Sequence, residues 1–186
     1  QNYIRIIEKS GARMLNIIND IIDISKIESH LMEVNIQQIN INEQIEYVYH
    51  FFKPEVEPKG MKLYLRNSLA TKDYILKTDK EKFFAILTNL VKNAVKFTNT
   101  GSIEMGYIIK NNDAKEELQF YVKDTGIGIP KERQGVIFER FVQANINNKM
   151  ALQGAGLGLS IAKGYVEMLQ GKIWAESEVG IGSTFY

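Results

Sequence analysis

Residues 78–130 read TDKEKFFAILTNLVKNAVKFTNTGSIEMGYIIKNNDAKEELQFYVKDTGIGIP and hold both periodicities from which a layered fold is built. Thr78 followed by Glu81 resembles a capping box and opens a helix predicted over 79–97. At about 100° per residue, Phe83, Ile86, Leu87, Leu90, Ala94 and Phe97 fall on one apolar stripe. Asn99-Thr100-Gly101 then makes a turn. Beyond it Ile103, Met105, Tyr107 and Ile109 alternate, as do Leu118, Phe120 and Val122, with Asn111-Asn112-Asp113 between them. That is a hairpin of two half-buried strands beside a one-sided helix.

Working outward, Val34, Ile36, Ile39 and Ile41 sit among polar residues in a strand-like stretch. Asn42 is a candidate N-cap for a helix carrying Ile45, Val48, Tyr49 and Phe52. Pro54 is expected to kink or end that helix, and Pro58-Lys59-Gly60 to close it. Met61, Leu63 and Leu65 alternate as a strand, and Tyr74-Ile75-Leu76 forms another. On the other side, residues 142–155 are polar and rich in Asn and Gln. A helix over 156–170 follows, with Gly171 as its stop, then closing strands at 172–177 and 183–186. The body at 34–186 is therefore expected to be α+β: a two-layer α/β sandwich with a mixed sheet of about five strands and three helices. Trp174 is expected in its core.

One long helix over residues 1–28 precedes it. Ile4, Ile7, Met14, Ile18 and Ile21 recur at three- and four-residue spacing, and Ile6, Leu15, Ile17, Ile22, Ile24 and Ile27 widen the apolar surface past half the circumference. A solvated single helix does not carry such a surface. It is expected to belong to a helical bundle whose other helices lie outside this chain, with packing on the neighbouring body as the alternative. Asp20, Asp23 and Glu28 read as solvated.

The chain has 186 residues, enough for a self-supporting core. Lys and Arg number 23 against 22 Asp and Glu, a net charge of +1 that gives no footprint for nucleic acid or anionic membrane. Cysteine is absent, which removes disulfides, thiolate nucleophiles and Cys-based zinc sites. With His30 and His50 alone, a histidine metal cluster or a Ser-His-Asp triad is hard to build. No apolar run approaches the ~18 residues that would cross a bilayer. Gln at the start and Tyr at the end of an apolar run suggest a piece of a longer chain.

Polar residues gather at three places. Asn89, Asn93 and Lys96 share a helix face away from the apolar stripe; the amides offer neutral oxygens to a hard cation, and the lysine can neutralise phosphate, although a solvated polar face would look the same. Asp124-Thr125-Gly126-Ile127-Gly128-Ile129-Pro130 follows a strand directly. Its acceptor-only carboxylate suits an adenine amino group, and its glycines permit close approach; an ordinary turn accounts for it equally well. Gly154-Ala155-Gly156-Leu157-Gly158-Leu159-Ser160 leads into an apolar helix. Glycine costs about 1 kcal/mol against alanine there, and a helix start cleared of side chains exposes N–H groups to phosphate. Gly180-Ile181-Gly182-Ser183-Thr184 reads equally as a turn. No Walker A loop or dinucleotide fingerprint is present.

In this order the segments resemble the ATP-binding domain of sensor histidine kinases of two-component systems. Asn89 to Thr98 resembles the family's N box and Asp124 to Pro130 its first glycine box. Phe138-Glu139-Arg140-Phe141 resembles the F box, Gly154 to Leu159 the second glycine box, and Gly180 to Phe185 the last. Leu15-Asn-Ile-Ile-Asn-Asp-Ile-Ile-Asp-Ile-Ser-Lys-Ile-Glu28 is similar to the second helix of the dimerisation and phosphotransfer region, a four-helix bundle made by two subunits. The resemblance implies that residues 1–33 are that helix, that 34–186 form a catalytic domain of the histidine-kinase/gyrase ATP-binding fold, and that ATP and Mg2+ are bound.

Residue by residue, the resemblance makes Asn93 the principal Mg2+ ligand with Asn89 assisting. Lys96 and Arg140 contact phosphates, and Asn93, Lys96 and Arg140 carry the catalysis. Asp124 bonds the adenine amino group, Gly126 and Gly128 admit the purine beside Phe97, and Thr184 lies near it. Gly154, Gly156, Leu157 and Gly158 form the phosphate-facing glycine box, and 142–155 a lid. The implied chemistry is transfer of the γ-phosphoryl to a histidine for relay to a response-regulator aspartate, in a homodimer. It implies no nucleic-acid partner and no membrane segment within these residues, in the cytoplasmic part of a membrane-anchored sensor.

Ser29-His30-Leu31-Met32-Glu33 departs from the family's acceptor motif, having leucine where an acid follows the histidine and no proline. The acceptor is expected upstream of residue 1. A hydrolysing ATPase of the same superfamily is the alternative, but Thr88-Asn89-Leu90-Val91-Lys92-Asn93 lacks the glutamate those enzymes use. A degenerate nucleotide-binding docking module is the other.

Overall fold

The computed structural model describes residues 2–66, 74–112, 115–142 and 155–186. Helix α1, Asn2–Glu28, comes first. It stops where His30 takes a left-handed φ of 52° and Leu31 N–H turns back to the Lys26 carbonyl. Strand β1, Ile36–Asn40, leads straight into α2, Ile41–Val56. The cap of α2 is Asn40, whose side chain accepts from Asn42 and Glu43 N–H groups, so the N-cap lies two residues before the expected Asn42. Asn42 is instead buried, and its Oδ1 accepts from the Tyr107 hydroxyl at 2.7 Å. Pro54 neither ends nor immediately precedes the end of α2; the helix continues to Val56 and closes through a 3-10 turn, Glu57–Lys59, with Gly60 at φ 75°.

Strand β2 is Lys62–Arg66, β3 is Ile75–Asp79 and α3 is Lys80–Phe97. Asp79, not Thr78, caps α3 by accepting from Lys82 N–H. Thr78 is taken up by the pairing of β3 with β1, where it sits opposite Gln37. The hairpin is β4, Ser102–Asn112, and β5, Lys115–Asp124. A one-turn α4, Lys131–Gln134, then α5, Gly158–Met168, β6, Ala175–Glu178, and β7, Gly182–Phe185, complete the described elements. The left-handed residue that ends α5 is Gln170, at φ 59°, with Gly171 N–H returning to the Val166 carbonyl; the stop comes one residue before the expected glycine.

Five strands form one sheet in the order β2-β4-β5-β7-β6, and β1 and β3 form a separate antiparallel pair. Only β2 and β4 run parallel, which makes the sheet mixed. Tyr107, Ile103, Met105 and Val122 on one sheet face meet Phe52, Ile45, Val48, Leu87 and Val91 from α2 and α3 in a continuous buried core. The architecture is the expected α+β two-layer sandwich preceded by a long helix. Trp174 departs from expectation: it is partly exposed and stacks on Tyr186 with ring centroids 5.2 Å apart, outside the core.

Residues 17, 24 and 27 turn the inner side of α1 toward the body. Ile24 and Ile27 pack on Leu157, Ile161 and Tyr165, and a Cβ at Gly164 would stand 3.0 Å from Ile27. The rest of the α1 apolar surface, from Ile4 to Ile22, is exposed. The alternative reading, packing on the neighbouring body, holds for the inner face of this helix. No helix among the described residues is long and apolar enough to cross a membrane.

Candidate functional site

A cleft of about 400 Å³ opens where α3, the end of β5, the start of α5 and α1 converge. Helix α3 supplies Asn89, Lys92, Asn93 and Lys96, because spacings of three and four place them on the face its apolar stripe leaves free, and Phe97 from the last turn of that stripe. The Lys96 ammonium lies 4.6 Å from the centre of the Phe97 ring. Strand β5 delivers Asp124 to the floor, and the following loop adds Ile127, Gly128 and Ile129. Gly156, Leu157, Gly158 and Leu159 line it from the start of α5, together with Val142 and Ala155.

Asp124 is 5% exposed, and its Oδ1 accepts from Gly126 N–H at 2.8 Å. Burial raises its carboxyl above the ordinary carboxylate range, opposed by backbone N–H bonds from Gly126 and Ser183. Burial likewise depresses the Lys96 ammonium, and the Arg13 charge adds to that depression. At the start of α5, Leu157 stands in the cap position with no side chain bonded to the first-turn N–H groups. A Cβ at Gly158 would lie 3.2 Å from Asn89 Oδ1, so an alanine there would press on the amide of α3. Gly128 has φ 70°, and its Cβ would overlap the Glu178 carbonyl, so the protein's own packing already requires glycine. Gly126 is similarly pressed against the Phe97 carbonyl.

The residues singled out from sequence divide in three. Asn89, Asn93, Lys96, Phe97, Asp124, Gly128, Gly156, Leu157 and Gly158 share the cleft. Gly126, Arg140 and Thr184 do not line it. On β7 the wall residues are Ser183 and Phe185; Thr184, between them, pairs with Lys123 and Glu176 and faces away by strand alternation. Arg140 forms an ion pair with Glu28 of α1. Gly154 and positions 143–154 of the expected lid lie outside the described residues.

Helix α1 contributes what sequence reading missed. Arg13, Asn16, Ile17, Asn19 and Asp20 also line the cleft. The α1 carboxylates are not simply solvated as expected. Burial raises the Asp20 carboxyl, the Asp23 charge adds to the rise, and Lys92 opposes it. Asp23 Oδ2 accepts from the Tyr165 hydroxyl at 3.1 Å, and burial and Asp23 push that phenol up. The available signal was the polar run 13, 16, 20 and 23 at helical spacing inside an otherwise apolar helix. His30 and His50 are both exposed, and neither lines the cleft.

The donor set fits a magnesium nucleotide: two carboxamides on one helix face, a lysine one turn on, a buried carboxylate acceptor and an uncapped helix start, all on one cleft. The family of histidine kinase-, DNA gyrase B-, and HSP90-like ATPases (HATPase_c) matches over residues 78–186. The autoinducer 2 sensor kinase/phosphatase LuxQ of Vibrio vulnificus is 38% identical over 179 residues, covering 95% of this chain and 21% of its own length. The chain thus spans about a fifth of that relative. Full-length ShkA in complex with AMPPNP superposes with a TM-score of 0.84 at 27% identity, over 99% of this chain and 37% of ShkA. The histidine kinase ThkA in complex with the response regulator TrrA superposes at 0.73 and 26% identity, over 100% of this chain and 49% of ThkA.

Proposed function

The chain belongs to the histidine kinase-, DNA gyrase B-, and HSP90-like ATPase family, as an ATP-binding catalytic domain of sensor histidine kinase type, and we propose that it binds Mg-ATP in this cleft and transfers the γ-phosphoryl to a histidine upstream of residue 1. What supports this is the convergence of Asn93, Lys96, Asp124 and the start of α5 on one cleft. Residues 1–33 are the second helix of the phosphotransfer bundle and 34–186 the catalytic domain.

Each group has a task set by its chemistry. Asn93, with Asn89 one turn before it, presents amide oxygens that would hold Mg2+. When bound, that ion would supply neutralisation of phosphate charge. Lys96 pairs with phosphate oxygens, and the N–H groups of Gly156, Leu157 and Gly158 receive others at the positive end of α5. Arg140 reaches a phosphate only by leaving Glu28. Asp124 accepts from the adenine amino group and stays ionised to do so. Phe97 and Gly128 border the purine, with Ser183 taking the place expected of Thr184. Catalysis is then positioning plus charge stabilisation, and the acceptor histidine brings the nucleophilic nitrogen.

The product phosphohistidine would pass to a response-regulator aspartate, within a homodimer built through the bundle. An ATP supply places the domain in the cytoplasm, as the intracellular part of a membrane-anchored sensor.

Calorimetry with ATP, with and without Mg2+, tests the site. Micromolar binding that weakens without the metal is expected, and Asn93→Ala should erase the metal dependence. No stable radiolabel should appear on this chain alone; adding a bundle that carries its histidine should produce it. A cleft indifferent to purine nucleotides, or intact binding with no transfer to a supplied bundle, would overturn the assignment.

A further inference from the structure

Behind Asp124 the sheet carries a short chain of hydroxyls. Trp174 and Tyr186 exchange both of their backbone bonds. Three residues further along the ladder, Ser177 of β6 and Ser183 of β7 therefore meet as a non-hydrogen-bonded pair, where facing side chains stand closest. Their hydroxyl oxygens are 2.9 Å apart. Ser177 Oγ also accepts from Ile129 N–H at 2.7 Å and donates to the Gly182 carbonyl at 2.9 Å. Gln134 Nε2 of α4 fastens the same place, donating to the Ile129 and Ser177 carbonyls at 2.9 and 2.7 Å. Ile129 and Ser183 line the cleft, and Ser177 does not.

Counting protons sets the direction of this chain. A serine hydroxyl has one proton and two lone pairs. Ser177 gives its proton to Gly182 and one lone pair to Ile129, which leaves one lone pair for Ser183. Ser183 is thus the donor between the two serines, and its own oxygen is left with acceptor capacity alone. Were the Ser177 proton turned to Ser183 instead, two acceptor oxygens would face each other at 2.9 Å at Gly182. Ser183 is 6% exposed and pairs across the ladder with Asp124, the buried carboxylate on the cleft floor. Directly opposed residues have Cβ atoms about 5 Å apart, so two acceptors stand side by side there.

We propose that Ser177 is a positioning residue that makes the cleft selective for a 6-aminopurine nucleotide over a 6-oxopurine one, by holding Ser183 as an acceptor beside Asp124. This rests on the ATP reading of the cleft and adds an origin for its base preference. An exocyclic amino group offers two N–H bonds to the pair of acceptors. A carbonyl oxygen in the same place meets two oxygens that cannot donate, and leaving such groups unpaired is what rejects the wrong ligand. Without Ser177, the Ser183 hydroxyl can turn its proton into the cleft, where it favours the carbonyl.

The test is titration of ATP, inosine triphosphate and purine riboside triphosphate, which carry an amino group, a carbonyl oxygen and a hydrogen at the 6-position. They are titrated into the parent chain, Ser177→Ala, Ser177→Thr and Ser183→Ala. In Ser177→Ala the preference for ATP over inosine triphosphate should fall about tenfold, with the 6-hydrogen analogue bound as in the parent. Ser177→Thr keeps the hydroxyl and should hold the parent preference. A merely structural role would weaken all three ligands together without changing the preference, and that result overturns the proposal. Ser183→Ala removes the acceptor directly and decides the matter should Ser177→Ala fail to fold; an unchanged preference there overturns it as well. If both alanine variants keep the parent preference while Asp124→Asn loses ATP, this proposal fails and the cleft assignment stands. A parent that binds none of the three ligands ends both.

Discussion

Asp79 and Asp124 are both nearly inaccessible carboxylates, at 2% and 5% exposure, yet their surroundings treat charge in opposite ways. Burial alone would raise Asp79, but Lys82 Nζ at 2.8 Å, Lys82 N–H at 3.0 Å and Asn35 N–H at 2.9 Å outweigh it and hold the group below its ordinary value. A depressed folded pKa contributes stability above the unfolded value of about 4, and loses it as pH falls through the folded value. Asp79→Ala removes the α3 cap and leaves the largely buried Lys82 side chain without its carboxylate, so urea unfolding at neutral pH should show a loss of about 3 kcal/mol. The difference from the parent should shrink on acidification. At Asp124 the raised pKa has the reverse sign: its stabilising contribution is complete below the unfolded pKa and is lost as pH rises through the folded one. Asp124→Asn is therefore expected to raise or preserve the melting temperature at pH 7, measured by calorimetry, while weakening ATP binding by at least about tenfold, since the ionised acceptor is gone. A stability gain without loss of adenine affinity would remove Asp124 from the purine site.

Which elements could be read from sequence follows from where their information lies. The α3 stripe and the β4–β5 hairpin repeat their own period over many residues, and the structure keeps both. Caps were displaced by a residue or two because the competing residues are all good cap formers, and distant partners choose between them. Tyr107 takes Asn42 for the core, and β1 pairing takes Thr78. At the site, α3, the Asp124 loop and the glycine-led start of α5 announce themselves through residues that weaken ordinary helices and strands. The face of α1 does not, because its partners are far along the chain and its polar residues pass for solvated ones. Ser183 and Thr184 show how one step along a strand exchanges the cleft for the other face. The α1–α5 contact carries its own prediction. Gly164 is the gap into which Ile27 fits, so Gly164→Val should wedge α1 away while leaving α5 no worse a helix than before. Amide hydrogen exchange in residues 13–28 should speed up, and the unfolding free energy of the sandwich should move by less than about 1 kcal/mol. Unchanged protection of α1 would mean that the contact does not hold the helix in place.

At the scale of the whole molecule, α1 has two working faces. Arg13, Ile17, Asp20, Ile24 and Ile27 look inward, whereas Ile7, Met14, Ile18, Ile21 and Ile22 are exposed, Ile7 at 70% and Ile18 at 45%. With 100° per residue the centres of the two sets lie roughly 120° apart around the axis. A stripe of five large apolar side chains at three- and four-residue spacing is a helix-packing seam, and monomeric proteins rarely leave one in water. Sedimentation velocity should therefore show concentration-dependent dimers formed through this stripe. Met14→Glu with Ile18→Glu puts two charges per chain into the seam and should return the protein to a monomer. Since neither position touches the inward face, the monomeric variant is expected to bind Mg-ATP with the affinity of the parent. A parent that stays monomeric across the micromolar range would show that the stripe needs helices absent from these residues before it can pack. Dissociation that also abolished ATP binding would show that the two faces are not independent and that the cleft requires the second subunit.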